Sequence, residues 1–173
     1  MSVNAPNKYL NWLAPDFKLL SVDDKYYSLN NLKGANGTVI AFICNHCPYV
    51  IKIANKLSLE ARELKKIGVS TIAIMPNDTK AYIEDSFDNM KLFAEKYEFD
   101  FPYLYDEFQI VATKYEAVCT PDIFAFNRNL TLKYRGRIDS DVIGSNKKDI
   151  KRELFYAMED IVNTNEGPKT QFN

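Results

Sequence analysis

Cys44-Asn45-His46-Cys47-Pro48 places two thiols and the chain's one histidine within five residues, and the third cysteine stands in Val118-Cys119-Thr120-Pro121-Asp122. Proline is favoured at the first helical position, where its missing N–H would have no partner anyway. Pro48 therefore predicts a helix that begins at once, with Cys47 as its N-cap. Unpaired backbone N–H groups and the positive end of the helix dipole stabilise an anion there, and the thiolate is the nucleophilic form of cysteine. Cys47 is accordingly the expected attacking residue. Cys44, three residues earlier, has the C-x-x-C spacing that permits a disulfide, and His46 when protonated would add positive charge beside the thiolate. The plainer readings are that a buried cysteine is a small core hydrophobe and a lone histidine a surface residue.

Two rival readings use the same residues. Cys44, His46, Cys47 and Cys119 are every cysteine and the only histidine of the chain, and such a Cys3His set suits zinc or a thiophilic copper ion. Three ligands within four residues are close for one tetrahedron, however, and zinc sites ordinarily use separated pairs. An inert binding module is the other rival, but it gives no reason for a helix-capping cysteine. The thiol reading calls for no cofactor.

The elements that would hold these residues follow from hydrophobic period. Thr38 to Ile43 is a continuous β-branched and aromatic run, as a centrally buried strand shows, and it leads straight into Cys44. From Pro48 to about Lys66, Val50, Ile53, Ala54, Leu57, Ala61 and Leu64 recur at helical spacing, with Gly68 as the stop. Val69–Met75 reads as a second buried strand. Helical patterns follow over about Ser86–Tyr97 and Phe108–Tyr115. Phe17–Leu20 and Tyr26–Leu29 about Asp23-Asp24 predict an N-terminal hairpin on a sheet edge, and Ile123–Phe126 and Leu130–Arg135 about Asn127-Arg128-Asn129 a second. A last amphipathic helix is expected over about Lys147–Val162. The order predicts an α/β fold, a three-layer α/β/α sandwich with a central mixed sheet, as one domain over 1–173 with irregular ends at about 1–15 and 165–173 and a mobile tail. Tyr82, Tyr97, Phe101, Tyr103 and Tyr105 read mainly as core and sheet-edge packing. Asn77-Asp78 reads as a turn that can also line the site. Asp139 and Asp141 read as solvated turn residues.

Bulk properties narrow the function. With 22 basic and 23 acidic residues interspersed, no basic stripe exists of the kind nucleic-acid binding needs. No stretch reaches membrane-spanning length and Met1 to Leu13 holds no signal-type apolar run, which predicts a cytoplasmic protein without a membrane partner. An odd, small number of cysteines fits reactive thiols in a reducing compartment rather than a disulfide framework.

From Ala14-Pro15-Asp16-Phe17 through Tyr134-Arg135-Gly136-Arg137-Ile138-Asp139 the chain resembles the thioredoxin-like, peroxiredoxin-like (AhpC/TSA) branch. The resemblance is carried by Phe42 to Val50 with its CNHCP motif, Pro76-Asn77-Asp78, Glu84-Asp85-Ser86 with Met90, and Cys119-Thr120-Pro121-Asp122. It implies a thioredoxin fold, a cis bond at Thr120-Pro121, and hence Cys119 close to Cys47. His46, Pro48, Thr120 and Pro121 would then line the substrate groove. It also implies a peroxide or protein disulfide as substrate and a thioredoxin- or glutathione-like thiol as electron donor. Two departures stand out. Cys44 replaces the threonine of the usual Thr-x-x-Cys-Pro, and the position of the peroxide-activating arginine holds Pro121. An alternative register, with Asn45-His46 resembling the dipeptide of disulfide isomerases, makes Cys44 the nucleophile; the Pro48 argument favours Cys47.

Overall fold

The computed structural model describes residues 10–141 and 149–171. Its centre is β3, Gly37–Phe42, buried at all six residues. β3 pairs in parallel with β4, Val69–Met75, and antiparallel with β6, Asp122–Asn127. The remaining strands are β1 (Lys18–Ser21), β2 (Tyr26–Ser28), β5 (Tyr103–Tyr105) and β7 (Leu132–Arg135), and the seven form one mixed sheet in the order β2-β1-β5-β4-β3-β6-β7. The predicted N-terminal hairpin thus forms one edge and the second hairpin the other.

Because side chains alternate along a strand, β3 sends Val39, Ala41 and then Ile43 to one face and Ile40 and Phe42 to the other. The first face is covered by α2 (Pro48–Lys66), α3 (Phe87–Lys96) and α5 (Glu153–Thr164). The second is covered by α1 (Leu29–Leu32), α4 (Ile110–Lys114) and the segment around Trp12. These are the three layers expected of the sandwich. On the second face Phe42, Tyr115, Phe124, Phe126 and Trp12 meet with ring centroids 5.5 to 6.5 Å apart. Each of the four fully buried rings, Phe42, Tyr115, Phe124 and Phe126, contributes about 1.5 to 3 kcal/mol before chain entropy is counted.

α2 spans the residues its spacing predicts and buries Val50, Ala54, Leu57, Ala61 and Leu64 against the sheet. It stops at Gly68, whose φ of +78° suits glycine, and Asn36 Nδ2 donates to the Ile67 carbonyl at 2.9 Å. Several boundaries differ from the sequence reading. Ser28 ends β2 and caps α1, because its hydroxyl and Asn31 form a reciprocal capping box. Ser86 is the N-cap of α3 rather than its first residue. β7 begins at Leu132 instead of Leu130, since Asn127 Oδ1 accepts the N–H groups of both Asn129 and Thr131 and widens the turn. α5 is described from Glu153; the expected start at Lys147 lies outside the described residues.

The described parts of the two ends, 10–15 and 165–171, hold no helix or strand apart from an isolated bridge at Leu13, yet hydrogen bonds fasten both to the sheet. Asn11 and Ala14 donate to the Leu132 and Leu130 carbonyls, so this segment lies along β7. Gln171 accepts the Arg135 N–H at 3.0 Å, which ties the tail to the same strand. Asp139 and Asp141 are also not simply solvated: Lys56 Nζ donates to both, at 2.7 and 2.9 Å.

Candidate active site

β3 and β4 run parallel, so their C-terminal ends lie together at one end of the sheet, and in open α/β sheets ligands bind outside the carboxyl ends of the strands. Ile43 N–H still donates to the Ile74 carbonyl, and the chain then leaves the sheet as the Cys44–Cys47 loop. Cys47 is the N-cap of α2 in extended conformation, with Pro48 at the first helical position and no side-chain cap hydrogen bond. Its carbonyl accepts the Ile51 N–H at 3.0 Å. Cys47 is partly exposed, whereas Cys44 is buried at 1% exposure, and all three cysteines are free thiols.

One residue faces both thiols of the motif. The Cys47 Sγ donates to the Thr120 carbonyl at 3.3 Å, and the Cys44 Sγ shares a hydrogen bond with the Thr120 hydroxyl at 3.2 Å. The Thr120-Pro121 peptide is cis, as the resemblance implies. Cys119, next in the chain and partly buried, lies close enough for a Cys47 thiolate to act on its titration. The structure thus brings Cys44, Cys47, Thr120 and Pro121 together, with Cys119 beside them and Pro48 exposed at the helix start.

The three thiols have unequal surroundings. Burial pushes the Cys44 thiol up, against the opposing effects of the Thr120 hydroxyl and the Cys47 backbone N–H. Burial also pushes Cys119 up, helped by the Asp122 carboxylate and opposed by Arg135. Raised thiols stay protonated at neutral pH and are poor attacking groups. Cys47 alone combines partial exposure with a helix N-terminus.

His46 turns away into a carboxylate. Its Nδ1 lies 2.7 Å from Asp85 Oδ2, and its ring stacks on Tyr82 with centroids 4.4 Å apart. Asp85 closes a 3-10 turn, Ile83–Asp85, and is fully buried. It also accepts the Asn45 backbone N–H at 2.7 Å and Asn77 Nδ2 at 2.8 Å. Asn45 completes the net, donating to the Glu84 carbonyl and accepting from the fully buried Tyr103 hydroxyl, both at 2.9 Å. Satisfied buried polar networks of this kind fix a loop in one geometry. The sequence reading missed Asp85, Asn45, Tyr82 and Tyr103 as parts of the site. The available signal was an acidic residue after the second buried strand, at the same end of the sheet as the cysteines.

The proposed Cys3His metal set does not form. Among the described residues, the side chains whose ligating atoms all lie within 4.8 Å of one another are Cys44, His46 and Asp85. Cys47 is turned to the Thr120 carbonyl, and both Asp85 oxygens already receive protein donors. Arg135, whose charge reaches Cys119, is held by Asp122 through Nε at 3.0 Å, by the Glu116 carbonyl at 3.0 Å and over the Phe124 ring at 4.4 Å.

Residues 11–135 match the AhpC/TSA family model. The chain belongs to the AhpC/TSA family. No curated protein matches it at a significant level. Among solved structures it is similar to an uncharacterized conserved protein from Geobacillus kaustophilus, with 38% identity, a TM-score of 0.91, and 98% of this chain and 93% of that one covered. A hypothetical protein from Sinorhizobium meliloti 1021 is 32% identical with a TM-score of 0.90, covering 96% of this chain and 91% of that one. The fold is shared with the thioredoxin domain of a thiol-disulfide oxidoreductase from Bacteroides vulgatus, at 15% identity, a TM-score of 0.70, and coverage of 91% and 100%. Among the described residues no helix is long and apolar enough to cross a membrane.

Proposed function

We propose that the protein is a thiol–disulfide oxidoreductase in which Cys47 attacks and Cys44 resolves. The observation that carries this is the partly exposed Cys47 and the buried Cys44 meeting on one residue, Thr120. The Cys47 thiolate attacks one sulfur of a substrate disulfide, forms a mixed disulfide and releases the other sulfur as a thiolate. Cys44 then attacks the Cys47 sulfur, the Cys44–Cys47 disulfide forms, and the second substrate thiol leaves with the proton that Cys44 gives up. A thioredoxin- or glutathione-like thiol returns the protein to its reduced form. Cys119 is the alternative resolving thiol. Pro48, Thr120 and Pro121 border the attacking sulfur and form the substrate groove, with His46 at its rim.

Reduction of a peroxide is the less supported branch, because the anionic leaving oxygen needs a donor and the nearby guanidinium of Arg135 is engaged by Asp122. Stopped-flow rates of the reduced protein with a small disulfide and with hydrogen peroxide separate the two. Oxidation by the disulfide should be fast and vanish in Cys47→Ser. Faster oxidation by peroxide than by the disulfide would assign the protein to peroxide chemistry instead.

A further inference from the structure

The closing of a Cys44–Cys47 disulfide raises a problem the thiols alone do not solve. Cys44 is buried at 1% exposure and its thiol is pushed up by that burial, so at neutral pH it holds a proton it must lose before it can attack. A fully buried carboxylate nearby makes the ionised sulfur still less favourable, since the Asp85 charge acts on Cys44 in the same direction. Ionising Cys44 unaided would place two negative groups side by side in a protected site.

The same cluster contains a base. Cys44 Sγ, a His46 ring nitrogen and an Asp85 oxygen lie within 4.8 Å of one another. Asp85 receives donors at both oxygens: the Asn45 N–H at Oδ1, and Asn77 Nδ2 together with His46 Nδ1 at Oδ2. An acceptor at Nδ1 selects the imidazole tautomer that carries its proton there and leaves Nε2 with a lone pair. Tyr82 stacks on the ring at an interplanar angle of 11° and fixes its plane. The groups that face this pair are Asp85 from the 3-10 turn, Tyr82 just before it, Cys47 at the start of α2 and Tyr103 from β5. Within the cluster of Cys44, His46 and Asp85, the imidazole is the group that becomes a cation on taking up a proton.

Resting on the proposed assignment of Cys47 and Cys44, we infer that His46 accepts the Cys44 proton in the step that closes the disulfide, and that Asp85 is the positioning residue that holds His46 for it. A separation of up to 4.8 Å admits transfer through one water, with the ring held in place by Asp85 and Tyr82. The proton leaves Cys44 for His46; the Cys44 sulfur bonds to the Cys47 sulfur; the mixed-disulfide bond breaks; and the imidazolium returns the proton to the departing thiolate. The imidazolium formed is paired with the Asp85 carboxylate, so the buried charge of Asp85 becomes an advantage once the proton has moved. No external oxidant enters beyond the substrate disulfide.

An aromatic disulfide, 5,5′-dithiobis(2-nitrobenzoate), reads the two steps separately, because each releases one coloured thiolate. The first release reports attack by Cys47 and the second reports closure by Cys44. General-base assistance is worth about 100-fold or more, so His46→Ala should slow the second release at least about tenfold more than it slows the first. Added imidazole should recover much of that loss. The second release in His46→Ala should also climb about tenfold per pH unit towards the ordinary thiol range, while the wild type shows a shallower profile. Asp85→Asn should slow the second release in the same sense, and its effect should not exceed that of His46→Ala. A slowed closure that ignores imidazole and keeps the wild-type pH profile would overturn the proton-transfer role and leave the two-thiol chemistry standing. If Cys44→Ser still gives both releases at wild-type rates, Cys44 does not resolve Cys47 and the functional assignment beneath the inference is wrong.

Discussion

Replacing Asp122 by alanine tests how the late strand is anchored beneath the site. Asp122 is 3% and Arg135 5% exposed, and they form a two-point pair through Arg135 Nε to Oδ1 at 3.0 Å and Nη2 to Oδ2 at 2.5 Å. Removing the carboxylate leaves a buried guanidinium whose partners among the described residues are the Glu116 carbonyl and the face of Phe124. Breaking one side of such a pair costs about 3 to 5 kcal/mol, which for a chain of this size is a fall in Tm of about 6 to 20 °C. Replacing both partners with apolar residues of similar volume, Asp122→Leu with Arg135→Met, should recover much of the loss because no charge is then stranded. The site should respond as well: the Asp122 charge raises the Cys119 thiol and Arg135 opposes it. Cys119 in Asp122→Ala should therefore be alkylated faster than in the wild type at the same pH. Thermal unfolding and mass-resolved iodoacetamide labelling make both measurements. A stability loss under about 1 kcal/mol, or a double variant as unstable as the single one, would refute the claim that this is a buried, mutually dependent pair.

Further expectations follow from the thiols and from one glycine. Cys44 and Cys119 are both pushed up by burial, whereas in the unfolded chain they ionise near about pH 8.5. The folded protein then keeps protons the unfolded chain releases, so this contribution is whole below that pH and declines as the pH rises through the raised values. The Tm of the reduced protein should fall more steeply between about pH 8 and pH 10 than that of a Cys44→Ala, Cys119→Ala variant. Labelling at neutral pH should mark Cys47 well before the other two. Gly68→Ala should cost about 1 to 2 kcal/mol, because φ is +78° and the new methyl would meet Asn36 Nδ2 at 2.5 Å. Urea unfolding measures it, and a neutral result would show that Asn36 moves aside without loss.

Much of the frame was legible because its signals are local. Thr38–Ile43 is apolar throughout, as a doubly covered strand must be, and Pro48 marks both the start of α2 and the cap position of Cys47. What escaped depends on contacts across the chain. β5 is three residues long and gains its partners from β4 and β1, so Tyr103-Leu104-Tyr105 shows no period of its own. Asp85 stands beside Glu84 and carries no local sign of burial, yet it is fully buried because Asn45 and His46, some 40 residues away, supply donors to it. The metal set failed for the same reason. Residue count put four ligands in one place, but packing turned Cys47 towards Thr120 and gave His46 a carboxylate partner.

Which sulfurs end up joined decides the roles of the three thiols. Reduced protein treated with one equivalent of a small disulfide, quenched by acid and digested without reductant, reports this by mass spectrometry of the linked peptides. The predicted product carries a Cys44–Cys47 bond and a free Cys119, and Cys47→Ser forms no such bond and retains no substrate adduct. A dominant bond between Cys47 and Cys119, or oxidation that proceeds unchanged without Cys47, would contradict the assignment of Cys47 as the attacking thiol resolved by Cys44.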